Sequence, residues 1–550
     1  MRILLSAWAL LALVLGVAGA EAVRADMGGA ALPNDSALEA AGARIGKITI
    51  ENDQIFDLDD PRENKRLYRV ADRWHARTRA GVIRSQLLFA SGEPYRHRLL
   101  EETERNLRRL SFLREPRIRP VAWHDGVVDI LVETHDVWTL QVGPSFGRSG
   151  GKNETSLEFA DVNLFGFGKT LLAGASHSVD RDSTYFEWRD PAVWGSRWTD
   201  AIRLANNSDG RDRRVQVFRP FYALDVRYGG GFLLEDSLGE DTRYRLGSEY
   251  DRYQHAMRVF DGNAGWSRGL RSGHVLRLAT GWRSERNSFA PLFAGTPSMP
   301  ITLAPIPTDR NLDYPYVRVD WLSDQFHTTR NKDLIARTED LAFGLNASLQ
   351  LGLAEPAFGA DRRAWVYTLG TTYGTKVGES QQLYAIAATA GRIEQRGATD
   401  VRSSADLAWY WRTSHRTLTH VRVSGAVGHA LDLDHYYSLG GDNGLRGYPL
   451  RYQLGEALAQ LKIEERVYTD WSLWRLFNIG GAAFFDAGRT YGSNPIGVPQ
   501  LGWLRDVGFG LRLGNDRSSL GNVIHVDIAT PLDGNNLSRL QFLVSTEATL

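Results

Sequence analysis

The chain of 550 residues carries 65 Lys+Arg against 65 Asp+Glu, a formal net charge of zero that gives no global attraction to nucleic acid or another polyanion. It contains no cysteine, which excludes a disulfide scaffold, thiolate chemistry and a cysteine-ligated metal. Its 55 glycines, 16 Trp, 20 Tyr and 22 Phe, beside only 4 Met, suit many β-strands better than a helical protein.

Residues 1–20 read as an export signal. Arg2 makes the start positive, Leu4 to Val17 is largely apolar, and Ala18-Gly19-Ala20 offers a small-residue cleavage site, with a second ending at Ala25. The apolar run is short for a span, and no later segment approaches the ~18 apolar residues of a membrane helix. Residues 26–44, beginning Asp26-Met27-Gly28-Gly29, read as a flexible leader.

Residues 45–136 predict a compact α+β unit in the order β-α-α-β-β. Ile48 and Ile50 alternate with Lys47, Thr49 and Glu51, as in a strand. After an insertion at 53–77, Gly81–Ala90 and Tyr95–Phe112 space their apolar residues as helices do, the second with Leu99, Leu100, Leu107 and Leu110 on one face. Arg117–Trp123 and Val127–Val132 follow as strands joined by the turn His124-Asp125-Gly126.

Beyond Asp136 the apolar period changes to two. The clearest alternation puts Leu341, Phe343, Leu345, Ala347, Leu349, Leu351 and Leu353 on one face of a single long strand, with Asn346, Ser348 and Gln350 on the other. Ten or more residues per strand suit a tilted membrane crossing, and polar faces carrying Arg, Asp, His and Gln suit a wet lumen. Residues 137–550 therefore predict an antiparallel transmembrane β-barrel of about sixteen strands, at roughly 26 residues per strand and connection. The fold class expected is mainly β.

One constellation carries chemistry. Arg446 lies in a glycine-rich loop, Ser438 to Pro449, within Leu445-Arg446-Gly447-Tyr448. Asp486 closes a strand-like run in which Asn478, Gly480, Ala482, Phe484, Asp486 and Gly488 share one face opposite Phe477, Ile479, Phe485 and Ala487. If the apolar face meets lipid, Asp486 points into the lumen, where a loop arginine can form a bidentate pair with it. Glu464 and Arg466, on the polar face of the preceding strand, are expected lumenal neighbours, and Gly480 and Gly488 let the loop backbone approach the wall. The bland alternative is a solvated arginine paired with nothing.

Other motifs carry less. Gly147-Arg148-Ser149-Gly150-Gly151 satisfies G-x-S-x-G but joins two strand-like segments, where a nucleophile elbow needs strand, turn and helix. Ser176-His177-Ser178 is explained by strand alternation, and thirteen histidines show no paired metal spacing. No catalytic residue, metal site or cofactor is expected, and the chain is not expected to be an enzyme.

Taken together, these residues resemble the outer-membrane superfamily of POTRA-plus-barrel proteins, which includes BamA, TamA, the bacterial surface antigen type and two-partner-secretion transporters. The unit at 45–136 looks like a single POTRA domain, with Val82–Phe89, Gly92-Glu93-Pro94-Tyr95 and Glu104–Arg108 similar to its helices and linker. Asn163–Gly168 resembles the turn after the first barrel strands, Leu445–Tyr448 the loop-six motif, and Phe485–Gly488 its strand partner. The resemblance implies a Gram-negative outer-membrane barrel with the POTRA in the periplasm. It would insert or translocate an unfolded outer-membrane or secreted polypeptide client, captured by strand addition at a POTRA edge that could also meet a periplasmic partner. The implied partners are that client and outer-membrane lipid, with no nucleic acid. The competing expectation is a passive narrow pore or a structural outer-membrane protein.

Overall fold

The computed structural model describes residues 32–294, 299–474, 476–519, 523–534 and 537–547, so the expected export signal lies outside the described residues. The N-terminal unit is a three-stranded sheet with Val127–Asp136 in the middle, parallel to Arg44–Asp53 and antiparallel to Leu113–His124. Helices Ala80–Gln86 and His97–Arg108 bury Ile83, Leu100 and Leu107 against Ile45, Val128, Ile130 and Val132. The insertion at 53–77 contains a further helix, Arg66–Trp74. Residues 26–44 were expected to be a flexible leader, yet Asp35–Ala40 is a helix capped by the Asn34 side chain, and its Leu38 is fully buried in the core of this unit. Besides that leucine and the cap, the Tyr95 hydroxyl donates to Asp35 Oδ1 at 2.6 Å and the His97 N–H to Glu39 Oε1 at 2.8 Å, which tie so short a helix to the unit.

The rest is one closed antiparallel barrel, in which each strand pairs with its neighbour in sequence. Its outer wall is an apolar band that includes Leu157, Phe186, Leu234, Phe260, Val319, Leu349 and Phe509. Among the described residues no helix is long and apolar enough to cross a membrane. The barrel has twenty strands, not about sixteen. The expectation of roughly 26 residues per strand and connection overstated the repeat: Leu140–Ser149, Lys152–Asp161, Thr170–His177 and Asp182–Asp190 are 8 to 10 residues long with short turns between them.

The expected long strand from Leu341 to Leu353 is also two elements. The chain breaks at Gly344, with φ +74°, where a Cβ would lie 2.8 Å from the Ser323 side chain. Leu345, Leu349 and Leu351 face outward from the barrel strand Gly344–Ala354. Leu341 belongs to a separate hairpin, Phe326–Arg330 paired with Thr338–Ala342, at the mouth nearest the N-terminal unit. Period two survives a strand break when both pieces are extended, so the pattern hid it.

The N-terminal unit is fixed to that mouth at several points. Asn163 Nδ2 donates to Thr78 Oγ1 at 2.8 Å, and the Arg79 N–H donates to the Gly166 carbonyl at 3.0 Å. Asn106 Nδ2 donates to the Tyr222 carbonyl at 3.1 Å. The insertion adds further ties: it stacks Phe56 on Tyr68, whose hydroxyl donates to the Trp474 carbonyl at 2.7 Å, and Glu63 pairs with Arg517.

Candidate functional site: a clamped loop and a plugging hairpin

The loop between strands Thr417–His429 and Ala457–Leu473 folds inward from the far mouth. Leu445 and Tyr448 are fully buried, in a cluster with Leu439, Tyr452 and Leu504. The Tyr448 hydroxyl donates toward the carbonyls of Arg505, at 2.9 Å, and Asp533, at 3.1 Å. Gly447 leaves no room for a side chain, since a Cβ there would meet Asp506 Cβ at 2.6 Å and the Pro531 nitrogen at 3.0 Å. Gly488 likewise sits where a Cβ would crowd Leu439 at 3.0 Å and Leu445 at 3.4 Å.

These contacts aim Arg446 at the wall. Its Nε donates to Asp486 Oδ2 at 2.7 Å and its Nη2 to Asp486 Oδ1 at 3.0 Å, the bidentate geometry that makes such pairs strong. Its Nη1 reaches Glu464 Oε2 at 2.9 Å and Asp527 Oδ2 at 3.4 Å, and the guanidinium lies over the Phe484 ring. Burial alone would lower the Arg446 pKa, but the Asp486 carboxylate, with Glu464 and Asp527, lifts it above the ordinary arginine value. Asp486 is fully buried and Glu464 nearly so.

The network extends beyond the residues expected. Glu464 also accepts from Arg466 Nε at 2.9 Å and from Arg512 Nη2 at 3.2 Å, and Arg512 pairs with Asp527. Arg512 and Asp527 stand on the polar faces of their strands, so parity would have found them. Arg466 then turns to an element that carries no sequence signal. Its Nη1 donates to the Lys332 carbonyl at 2.7 Å and lies 3.4 Å from Asp333 Oδ1.

Lys332 and Asp333 belong to the tip, 331–337, of the hairpin at the near mouth, and that tip enters the lumen. Lys332 also accepts from the Tyr468 hydroxyl at 3.3 Å and rests over the Tyr410 ring. Ile335 packs with Ala408, Tyr410, Leu418, Tyr468 and Val523. Burial would raise the Asp333 carboxyl, but Lys332 and Arg466 beside it hold it below the usual carboxylate range. At its base the hairpin meets the N-terminal unit. Arg108 grips Asp340 bidentately at 2.8 and 2.7 Å, Arg330 pairs with Glu115, and Arg105 lies over Phe326. A continuous chain of contacts therefore runs from helix His97–Arg108 through the hairpin, Arg466 and Glu464 to Arg446.

The barrel's seam differs from its other joints. Among the described residues the first barrel strand, Leu140–Ser149, and the last, Gln541–Glu547, meet at a single pair, Val544↔Arg148. The sparsest of the other ladders still runs over six consecutive pairs, Tyr316↔Gly352 to Trp321↔Ala347. Gly150 and Gly151, expected as a polar hairpin turn, connect two strands with φ +51° and +79°, which is not the context of a nucleophile elbow. His177 pairs with Asp182 directly across its hairpin.

No family model matches the chain, and no curated relative matches it. Among solved structures, it is similar to CdiB from Acinetobacter baumannii at 13% identity over 92% of this chain and 73% of that one, with a TM-score of 0.46. CdiB from Escherichia coli aligns at 13% identity over 92% and 76%, with a TM-score of 0.45. BamA from Haemophilus ducreyi lacking POTRA domains 1-3 aligns at 12% over 90% and 84%, with a TM-score of 0.38.

Proposed function

We propose that this protein is an outer-membrane machine that inserts or translocates polypeptides, with its N-terminal unit acting as a periplasmic POTRA domain. The seam carries the proposal. Two strand edges that share one pair among the described residues present N–H and C=O groups that a client strand can satisfy by edge addition, a mode that needs little sequence specificity. Arg446 and its carboxylates hold the inward loop beside that seam, where a Cβ on Gly150 would lie 2.3 Å from the Leu450 nitrogen. The N-terminal sheet has strands Arg44–Asp53 and Leu113–His124 at its edges, and either could take a client strand before the barrel does.

A passive narrow pore is the second reading, and two elements within the lumen weigh against it: the hairpin tip enters from one mouth and the clamped loop from the other. No residue is assigned a catalytic or metal-binding role. A photo-crosslinker placed at the exposed Glu51, on one N-terminal edge, and separately at Phe146, on the seam strand, tests the proposal in living cells. The same polypeptide, captured first at Glu51 and later at Phe146, is the expected result. Adducts at neither position during active export would overturn it.

A further inference from the structure

The outer wall over four consecutive strands, Gly210–Arg219, Tyr228–Arg245, Ser248–Arg271 and His274–Pro291, has a banded composition. Nearest the N-terminal unit, Tyr228 pairs with Trp266, both exposed, as in an aromatic girdle. An apolar stretch follows, ending in the row Val215, Leu234 and Phe260. The next outward row reads Arg213, Asp236, Arg258, Arg286 across the four strands.

That row stands eight residues along the strand from Tyr228, roughly 20 Å higher at a tilt of about 40°, near the top of a membrane apolar band of about 25 Å. Arg258 and Arg286 are directly opposite each other, with side chains 73% and 62% exposed. Like charges directly opposite destabilise a sheet unless something anionic lies between them. The carboxylates nearby are too few. Asp236 is shared between Arg211 Nε at 2.9 Å and Arg258 Nε at 3.0 Å, and Asp313 lies 3.8 Å from Arg286. Four guanidinium groups thus face two carboxylates above a groove floored by Leu234 and Phe260.

We propose that this row binds the phosphate of an outer-leaflet glycolipid of the lipid A class, whose acyl chains lie along Val215, Leu234 and Phe260. Guanidinium forks match phosphate oxygens in geometry and charge, and the apolar row lies where the chains of such a lipid begin. The height of the row decides which lipid. It is the rim far from the N-terminal unit, so it meets the outer leaflet, given the proposed periplasmic placement of that unit.

The test uses the purified full-length protein in detergent, so it does not depend on any client. Native mass spectrometry is run with added bis-phosphorylated lipid A, with its dephosphorylated form, and with phosphatidylglycerol. The wild type is expected to retain lipid A in preference to both, and the double variant Arg258→Gln/Arg286→Gln to retain about tenfold less, as befits two lost charge-assisted contacts. Both side chains are exposed, and an unchanged β-sheet circular dichroism spectrum certifies the fold. Undiminished retention by the double variant, or equal retention of dephosphorylated lipid A or of phosphatidylglycerol by the wild type, overturns the assignment.

Discussion

Arg446→Ala is expected to release the inward loop while the barrel stays closed. The substitution leaves Asp486, which is fully buried, without the bidentate partner that neutralises it. Uncovering one member of a buried ion pair costs about 3–5 kcal/mol. Arg512 and Arg466 remain on Glu464 and Asp527, so the wall itself keeps most of its compensation. The cost therefore falls on the loop, which Leu445, Tyr448 and the Arg446 fork anchor together with Arg451, whose own fork holds Asp180 at 2.9 and 2.7 Å. Limited proteolysis at Gly440–Gly444 reads the outcome: cleavage at least tenfold faster than in the wild type, with heat-resistant barrel mobility on gels unchanged, follows from a loss of this size. Asp486→Asn should act in the same direction, and Arg446→Lys should restore little, because an ammonium cannot reproduce the two-pronged contact. Wild-type protease resistance in Arg446→Ala would show that the hydrophobic cluster and the Arg451–Asp180 pair hold the loop without the clamp.

Deleting the hairpin tip, 331–337, and closing the gap with two glycines has the second large effect expected. The tip enters the lumen from the near mouth and meets Tyr410, Arg466 and Tyr468 there. A polar cavity of about 500 Å³, lined by residues that include Asp261, Arg283, Arg318 and Arg392, already lies elsewhere along the wall. Removing the tip should join that space to the near mouth. In planar bilayers the wild type is expected to pass brief, small currents and the variant a steady current about tenfold larger, as a widened aqueous lumen gives. A large, steady current through the wild type, unchanged by the deletion, would favour the passive-pore reading.

The legible and illegible parts of this site divide along a physical line. Asp486, Glu464 and Arg466 could be sorted to one wall from the sequence because strand parity divides the two faces and consecutive strands are neighbours, whereas Arg446, on a loop with no period, is joined to them by the resemblance of its loop motif. The same parity, applied to Val507–Leu513 and Ile524–Ile528, would have added Arg512 and Asp527. Lys332 and Asp333 could not be found this way. They sit in an irregular segment with no period, and their partners, Arg466 and Tyr468, lie more than 130 residues away across the lumen. The strand count failed because strand length varies within one barrel: Thr170–His177 has 8 residues, whereas Ser248–Arg271 has 24. The buried helix Asp35–Ala40 is silent in the sequence because six residues are too few to show an amphipathic period.

The absence of native cysteine makes the seam directly testable. Arg148→Cys and Val544→Cys, the one described pair across it, can be joined by a disulfide and released by reductant. With the seam locked, quantitative proteomics of the outer membrane and culture medium should show one or a few polypeptides falling about tenfold, as blocked edge addition requires, and recovering once the disulfide is reduced. A fully formed lock that changes the level of no exported polypeptide would contradict polypeptide handling at the seam.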